Sequence, residues 1–158
     1  KNSKLIIKCP NDKHQLIRIK KSLKEKLILE NVIFHTSFDD KKDHLNLYKK
    51  IDIALDTFPY NGVTTSFEAI WMGVPVITMA GYNFNSRCGE SINKNLGMEQ
   101  LIAKDENDYV QKVINFANDK EKYINLRKCV FTDAIKSPLF NTKRFADNFF
   151  NALRKIIK

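Results

Sequence analysis

The sequence has little cysteine and no long apolar run, and these absences exclude several classes of protein. Its three cysteines, Cys9, Cys88 and Cys129, lie far apart and form no Cys-x-x-Cys pair, which argues against a zinc or dithiol redox site. We expect them to be reduced thiols. No stretch approaches the roughly 18 apolar residues of a membrane span, and the N-terminal residues lack the apolar core of a signal peptide. The sequence therefore predicts a soluble, cytoplasmic protein that has no membrane partner.

Internal repeats and low-complexity linkers are also absent. The 158 residues suffice for one hydrophobic core and are few for two ordinary domains, so we expect a single domain over residues 1–158. The net charge of +9 would suit nucleic-acid binding, but the lysines are scattered and no basic run is interleaved with stacking aromatics. The sequence therefore favours no nucleic-acid partner, and salt-dependent DNA binding would support the alternative.

Short apolar runs alternate with amphipathic helical patterns through most of the chain. SKLIIK and NVIF are typical of strands on either side of a helix, HQLIRIKKSLKEKL. A second helix is predicted over about 41–50, and the strands IDIALDTF and WMGVPVITM follow it. Such alternation requires right-handed crossovers between parallel strands. The predicted fold class is therefore α/β, with a parallel sheet flanked by helices.

After LIAK the pattern predicts helices only, over about 106–117, 120–135 and 142 to the end. In the last helix, apolar side chains recur at three- and four-residue spacing and form an apolar stripe: Phe145, Phe149, Leu153 and Ile156. We expect this stripe to pack on the chain's own sheet, and docking on a missing partner domain is the alternative.

The most informative stretch is LDTFPYNGVTTSFEAIWMGVPV, in which a buried strand ends in a turn and a helix begins at Thr64, Thr65 or Ser66. Ligands of parallel sheets bind where the strands end, and a helix N-terminus there offers unpaired N–H groups to a phosphate. Gly62 lets the backbone come close. The hydroxyls of Thr64 and Thr65 suit a diphosphate, and the carboxylate of Glu68, one turn further on, suits a ribose. The stretch predicts half of a nucleotide site.

Each part of this stretch also has a purely structural explanation. Thr65-x-x-Glu68 matches a capping box, in which the two side chains satisfy each other's backbone N–H groups without a ligand. Asn61-Gly62 is a favourable turn sequence. By themselves, these residues leave the structural and the functional explanation open.

Two further groups of residues are weaker candidates. His44, with Lys41 and Lys42 before it, suits stacking on a base but is also typical of an exposed helix start. Ser86 and Arg87 follow the next strand and are placed to face a phosphate, although capping of the following helix explains them better.

Taken together, these residues resemble a known enzyme family. DIALDTFPYNGVTTSFEAIWMGVPVITMAG, SRCGESI, LIAKDENDYV and SPLFNTKRF resemble, in order, the C-terminal catalytic half of glycosyltransferase family 41. That family contains the protein O-linked N-acetylglucosaminyltransferases. Within it, the sequences of these motifs are most similar to those of bacterial tetratricopeptide-linked members. The resemblance runs from about Val32 to Ile156. It implies one Rossmann-like half of a GT-B glycosyltransferase, ending in helices.

The resemblance also implies an activity and a set of roles. The activity is inverting transfer of N-acetylglucosamine from UDP-N-acetylglucosamine to Ser or Thr of an acceptor protein, without a metal or other cofactor. The absence of any Asp-x-Asp pair agrees with this. Thr64 and Thr65 match the threonines that hold the diphosphate, and Glu68 matches the acid that holds the ribose. His44 and Lys41 match residues around the uridine.

Some positions depart from the family's pattern. Val63 stands where the animal enzyme has a histidine that touches the donor, and Glu68 replaces an aspartate. One extra residue between Phe34 and His44 puts backbone contacts to the base around Asp40 in doubt. No catalytic base is nominated, because it is expected in an N-terminal half that this sequence lacks, together with tetratricopeptide repeats. We expect the chain alone to be inactive. The alternatives are half of a GDP-fucose protein O-fucosyltransferase, which a plant branch of the family suggests, and a non-catalytic nucleotide-binding module.

Overall fold

The computed structural model of the chain describes residues 3–9, 12–26, 29–35 and 40–157, with the side chain of Lys41 excepted. The chain divides into two compact units, Lys1–Leu47 and Tyr48–Lys158. Each unit has its own sheet, and every strand pair in the described residues is parallel. The single domain over residues 1–158 stays a prediction.

The first unit contains the β-α-β arrangement that the sequence predicts. Its elements are β1 (Leu5–Lys8), α1 (Lys13–Glu25), β2 (Val32–His35) and α2 (Lys41–Leu47). Strand β1 pairs with β2 along its whole length. The Asp12 carboxylate accepts hydrogen bonds from the N–H groups of His14 and Gln15, which fixes the start of α1.

The second unit alternates strands and helices and then continues as helices alone. Its elements are β3 (Ala54–Leu55), α3 (Thr64–Trp71), β4 (Val76–Met79), α4 (Cys88–Leu96), β5 (Ile102–Ala103), α5 (Glu106–Asn118), α6 (Lys120–Lys136) and α7 (Thr142–Ile156). The strands lie in the order β3-β4-β5. The predicted boundaries of the last three helices agree with these bounds within one or two residues. The α/β fold class is confirmed.

Strand β4 is the centre of the second unit. Val76, Ile77 and Thr78 are successive residues of β4 and all three are buried, so both faces of the strand are covered. A strand between two parallel neighbours is expected to be apolar in this way. Helices α3, α4 and α5 pack against it.

The apolar stripe of α7 does not pack on the sheet of its unit. Phe145 is 69% exposed, Phe149 52% and Ile156 79%, and the rings of the two phenylalanines stack on each other. The expectation that the sheet covers the stripe is therefore wrong. The sequence pattern identified an amphipathic helix correctly, but periodicity alone does not say which surface covers the apolar face.

No helix in the described ranges combines the length and the apolarity that crossing a membrane requires.

Candidate functional site

The candidate site lies at the edge of the second unit's sheet where the parallel strands end. After β3 the chain turns through residues 56–63 and enters α3, and after β4 it turns through residues 80–87 and enters α4. Because β3 and β4 are parallel neighbours, both turns leave the sheet at the same edge. Two helix N-termini, those of α3 and α4, therefore start from this edge of the sheet. The first of the two turns contains a cis peptide bond between Phe58 and Pro59.

The start of α3 has the properties of an anion site. The helix begins at Thr64, and both Thr64 and Thr65 are exposed. The residue before them, Val63, makes no side-chain cap. The N–H groups of the first helical turn have no partner within the helix, and the helix dipole adds partial positive charge there. Two hydroxyls and several N–H groups are thus available to a bound anion.

The capping box that would explain Thr65 and Glu68 without a ligand is not formed. A capping box requires Thr65 to be the residue that precedes the helix, and that residue is Val63. Glu68 accepts a hydrogen bond from the hydroxyl of Tyr48 at 3.2 Å instead. This structural explanation of the two residues is therefore wrong.

Gly62 sits directly under the helix start. Its carbonyl oxygen accepts a hydrogen bond from the Ser66 hydroxyl at 3.1 Å. A Cβ added to Gly62 would lie 2.4 Å from the hydroxyl oxygen of Thr65, far inside contact distance. The position suits glycine because the backbone lies close to the Thr65 side chain, and its φ angle is not positive. The predicted close approach of this backbone to a ligand stays a prediction.

Asp56, which sequence reasoning did not single out, holds this turn to the sheet. Its carboxylate accepts hydrogen bonds from the Gly62 N–H and from the Thr78 hydroxyl, both at 2.7 Å. The residue is 5% exposed. Burial raises the pKa of the Asp56 carboxyl, and the two hydrogen bonds oppose that rise. An acidic residue directly after a buried strand was the sequence signal for this role.

Asn61 joins the two turns and was explained from sequence only as a turn residue. It is 2% exposed. Its side-chain oxygen accepts a hydrogen bond from the N–H of Gly89, at the start of α4, and its own N–H donates to the carbonyl of Asn85. Because these bonds cross from one turn to the other, the starts of α3 and α4 are held together.

Ser86 and Arg87 serve the second turn. The hydroxyl of Ser86 accepts a hydrogen bond from the Asn83 N–H and is buried. Arg87 forms an ion pair with Glu90 at 2.8 Å. Hydrogen bonds from Lys94 and from Arg87 lower the pKa of Glu90. Neither side chain caps α4, and Ser86 is buried, so the expectation of surface capping is wrong. Hydrogen bonds with Asn83 and the ion pair with Glu90 account for the two residues instead.

Lys41 and His44 belong to the first unit. Both lie on α2, where the Asp40 carboxylate accepts a hydrogen bond from the N–H of Asp43. Nδ1 of His44 lies 3.4 Å from Nζ of Lys8. The side chain of Lys41 is outside the described residues. The role of these residues beside a uridine stays a prediction.

The part of the chain that the structure describes holds no cluster of metal-ligating side chains. Across residues 3–9, 12–26, 29–35 and 40–157, no group of three or more His, Cys, Asp or Glu side chains is close enough to hold an ion.

Comparison with known proteins points to one family. The sequence model of Glycosyl transferase family 41 matches residues 6–149. A probable UDP-N-acetylglucosamine–peptide N-acetylglucosaminyltransferase SPINDLY of Solanum lycopersicum is 40% identical over 114 residues, which are 72% of this chain and 12% of the relative. Its counterpart in Hordeum vulgare is 36% identical over 98% of this chain and 17% of its own length.

A solved structure gives the same result for the fold. A mutant of the O-GlcNAc transferase of Thermobaculum terrenum superposes with a TM-score of 0.85 and is 26% identical, over 94% of this chain and 29% of that one. The chain thus spans 29% of the solved structure's chain and only 12% and 17% of the two plant relatives.

Proposed function

The chain belongs to glycosyltransferase family 41, and from this we propose that its second unit binds the diphosphate of a nucleotide-sugar donor. The observation that carries the proposal is the start of α3. Thr64 and Thr65 are exposed on an uncapped helix N-terminus, at the sheet edge where ligands of parallel folds bind. Asp56 and Asn61 fix the turn that leads into the helix, so the anion site is formed before the ligand arrives.

The donor that we propose is UDP-N-acetylglucosamine, and the acceptor is a Ser or Thr hydroxyl of a protein. Support comes from the two plant relatives, which are named as probable UDP-N-acetylglucosamine–peptide N-acetylglucosaminyltransferases. The acceptor oxygen attacks the anomeric carbon as the bond to the diphosphate breaks, and attack from the opposite face inverts the configuration. The acceptor's proton passes to a base outside this chain.

The part of this chain in that reaction is electrostatic. Negative charge grows on the diphosphate as it leaves, and the threonine hydroxyls and helix N–H groups stabilise it where they already stand. We propose that no divalent ion is needed for this step. We propose that the base and the acceptor site lie in an N-terminal half outside this chain, in a protein that also carries tetratricopeptide repeats. The chain alone then binds donor but transfers no sugar.

Isothermal titration of the chain with UDP and then GDP tests the donor site. A Thr64→Val, Thr65→Val double variant removes both hydroxyls and keeps the side-chain shape. We expect it to weaken UDP binding by about 1–3 kcal/mol, since a diphosphate oxygen loses a partner. Thr142→Val is the matched control, because Thr142 is also an exposed first residue of a helix, α7. It should leave the UDP affinity unchanged, and so should EDTA.

Selective UDP binding that the double variant loses supports the proposal. Selective GDP binding would indicate GDP-fucose as the donor and would still support the diphosphate site. An unchanged UDP affinity in the double variant, or no binding of either nucleotide, would contradict the site.

A further inference from the structure

Tyr48 connects the chain before β3 to the first turn of α3. It begins a short 3-10 turn, Tyr48–Lys50, and is only 8% exposed. Its hydroxyl donates to Oε2 of Glu68 at 3.2 Å and lies 3.3 Å from the backbone carbonyl oxygen of Thr65. These acceptors are one helical turn apart, so one buried hydroxyl contacts both the proposed diphosphate end and the proposed ribose end of the helix.

The Tyr48 hydroxyl is a permanent donor. Burial and the negative charge of Glu68 both raise the pKa of Tyr48, so the phenol keeps its proton throughout the neutral range. An ionised carboxylate can only accept. The direction of the hydrogen bond is therefore fixed, from the tyrosine to Glu68.

This bond restricts the rotamers of a flexible side chain. A glutamate loses side-chain conformational entropy when it is fixed, and a ligand that orders the side chain bears that cost. Glu68 is partly buried and already oriented by Tyr48. A carboxylate offers about four acceptor positions, so the hydrogen bond from Tyr48 does not by itself exclude hydrogen bonds from ribose hydroxyls.

We infer that Tyr48 is a positioning residue that orients the Glu68 carboxylate toward the ribose hydroxyls of a nucleoside diphosphate. The inference rests on the proposed function, because it concerns the same site. It adds a residue that touches no ligand atom and acts through Glu68.

The test measures discrimination between ribose and deoxyribose. UDP and 2′-deoxyuridine diphosphate are titrated into the unaltered chain, Glu68→Ala, Tyr48→Phe and the double variant. We expect the unaltered chain to prefer UDP on the order of tenfold, the value of a hydrogen bond to a charged group. In Glu68→Ala the preference should disappear. Tyr48→Phe should lower it toward the Glu68→Ala value, with no further loss in the double variant.

Tyr123→Phe is the matched control. The Tyr123 hydroxyl donates to the carboxylate of Asp52 at 3.0 Å, so this variant also removes a tyrosine–carboxylate hydrogen bond. It should leave the preference for UDP at its original value. Tyr48→Phe keeps the buried ring, and urea unfolding checks that each variant is folded.

Three results separate the two hypotheses. If Tyr48→Phe weakens both nucleotides equally, or changes neither, Tyr48 does not act through Glu68 and the inference is overturned while the diphosphate site stands. If Glu68→Ala keeps the preference for UDP, the ribose role fails and the inference fails with it. If the unaltered chain does not bind UDP, the proposed function is overturned as well.

Discussion

At the residue scale, Gly62 shows how one missing side chain shapes the site. A Cβ at this position would meet the Thr65 hydroxyl at 2.4 Å and the Ser66 hydroxyl at 3.1 Å. Both residues lie in the first turn of α3. An added methyl group would therefore displace a hydroxyl or the turn itself.

We predict that Gly62→Ala weakens UDP binding by about 1–3 kcal/mol, because the Thr65 hydroxyl must move from its position. Titration calorimetry measures the affinity. Gly73→Ala is the contrasting control: Gly73 has a φ of 72° and open space around its Cβ position. This control should lower stability by roughly 1–2 kcal/mol through strain and leave UDP binding unchanged. Equal UDP affinity in Gly62→Ala and the unaltered chain would contradict the role of Gly62.

Sequence reasoning singled out Gly62, Thr64, Thr65 and Glu68 as candidates because they lie within one helical turn and one loop of each other. It missed Tyr48, whose hydroxyl meets a carboxylate 20 residues further along the chain. Such a contact is set by tertiary packing and has no local pattern. For Asp56 the sequence did contain a signal, an acidic residue directly after a buried strand. That signal does not reveal which groups bond to the carboxylate.

At the element scale, the Asp56 carboxylate fastens the end of β3, the following turn and β4 to one another. Gly89 of α4 packs against the same group, since a Cβ there would lie 2.3 Å from Oδ2 of Asp56. One buried acid thus sets the spacing of two strands and two helix starts.

The burial of this acid predicts how stability changes with pH. The folded-state pKa of Asp56 is above its ordinary value of 3.8, so between the two values the folded chain holds the extra proton. Stability from this group is therefore greatest below pH 3.8 and falls as the pH rises through the folded pKa. In Asp56→Asn the carboxyl group is replaced by an amide that does not titrate, and the amide oxygen can still accept the hydrogen bond from the Gly62 N–H.

We expect the free energy of unfolding of Asp56→Asn to rise relative to that of the unaltered chain as the pH increases from 3.8. Urea unfolding of both proteins at a series of pH values measures this difference. If the difference in free energy of unfolding does not change with pH, or if the unaltered chain gains stability relative to Asp56→Asn as the pH increases, burial does not raise the pKa of Asp56.

The lengths of the elements were less predictable than their kinds. The helix predicted over 41–50 is α2 followed by a 3-10 turn, and IDIALDTF contributes only the two paired residues of β3. Apolar patterning marks which residues are buried, whereas a strand ends where its partner's hydrogen bonds end. For IDIALDTF that partner is β4, which no local pattern reveals.

At the scale of the whole molecule, the chain corresponds to only a small part of the length of its plant relatives. It belongs to glycosyltransferase family 41. It spans 12% of the length of the Solanum lycopersicum relative and 17% of that of the Hordeum vulgare relative. That the catalytic base lies outside this chain stays a prediction. The α/β fold class did not predict that the apolar stripe of α7 is exposed. A fold class gives the kinds of elements and does not say which surface covers an amphipathic helix.

The central claim is that the start of α3 binds the diphosphate of a nucleotide, and NMR of the ¹⁵N-labelled chain tests it most directly. UDP should shift the amide resonances of Gly62, Val63, Thr64 and Thr65, because their N–H groups lie at or beside the proposed anion site. Uridine, which has no phosphate, should leave these four resonances in place. Shifts confined to other residues, or equal shifts with uridine and UDP, would contradict the account.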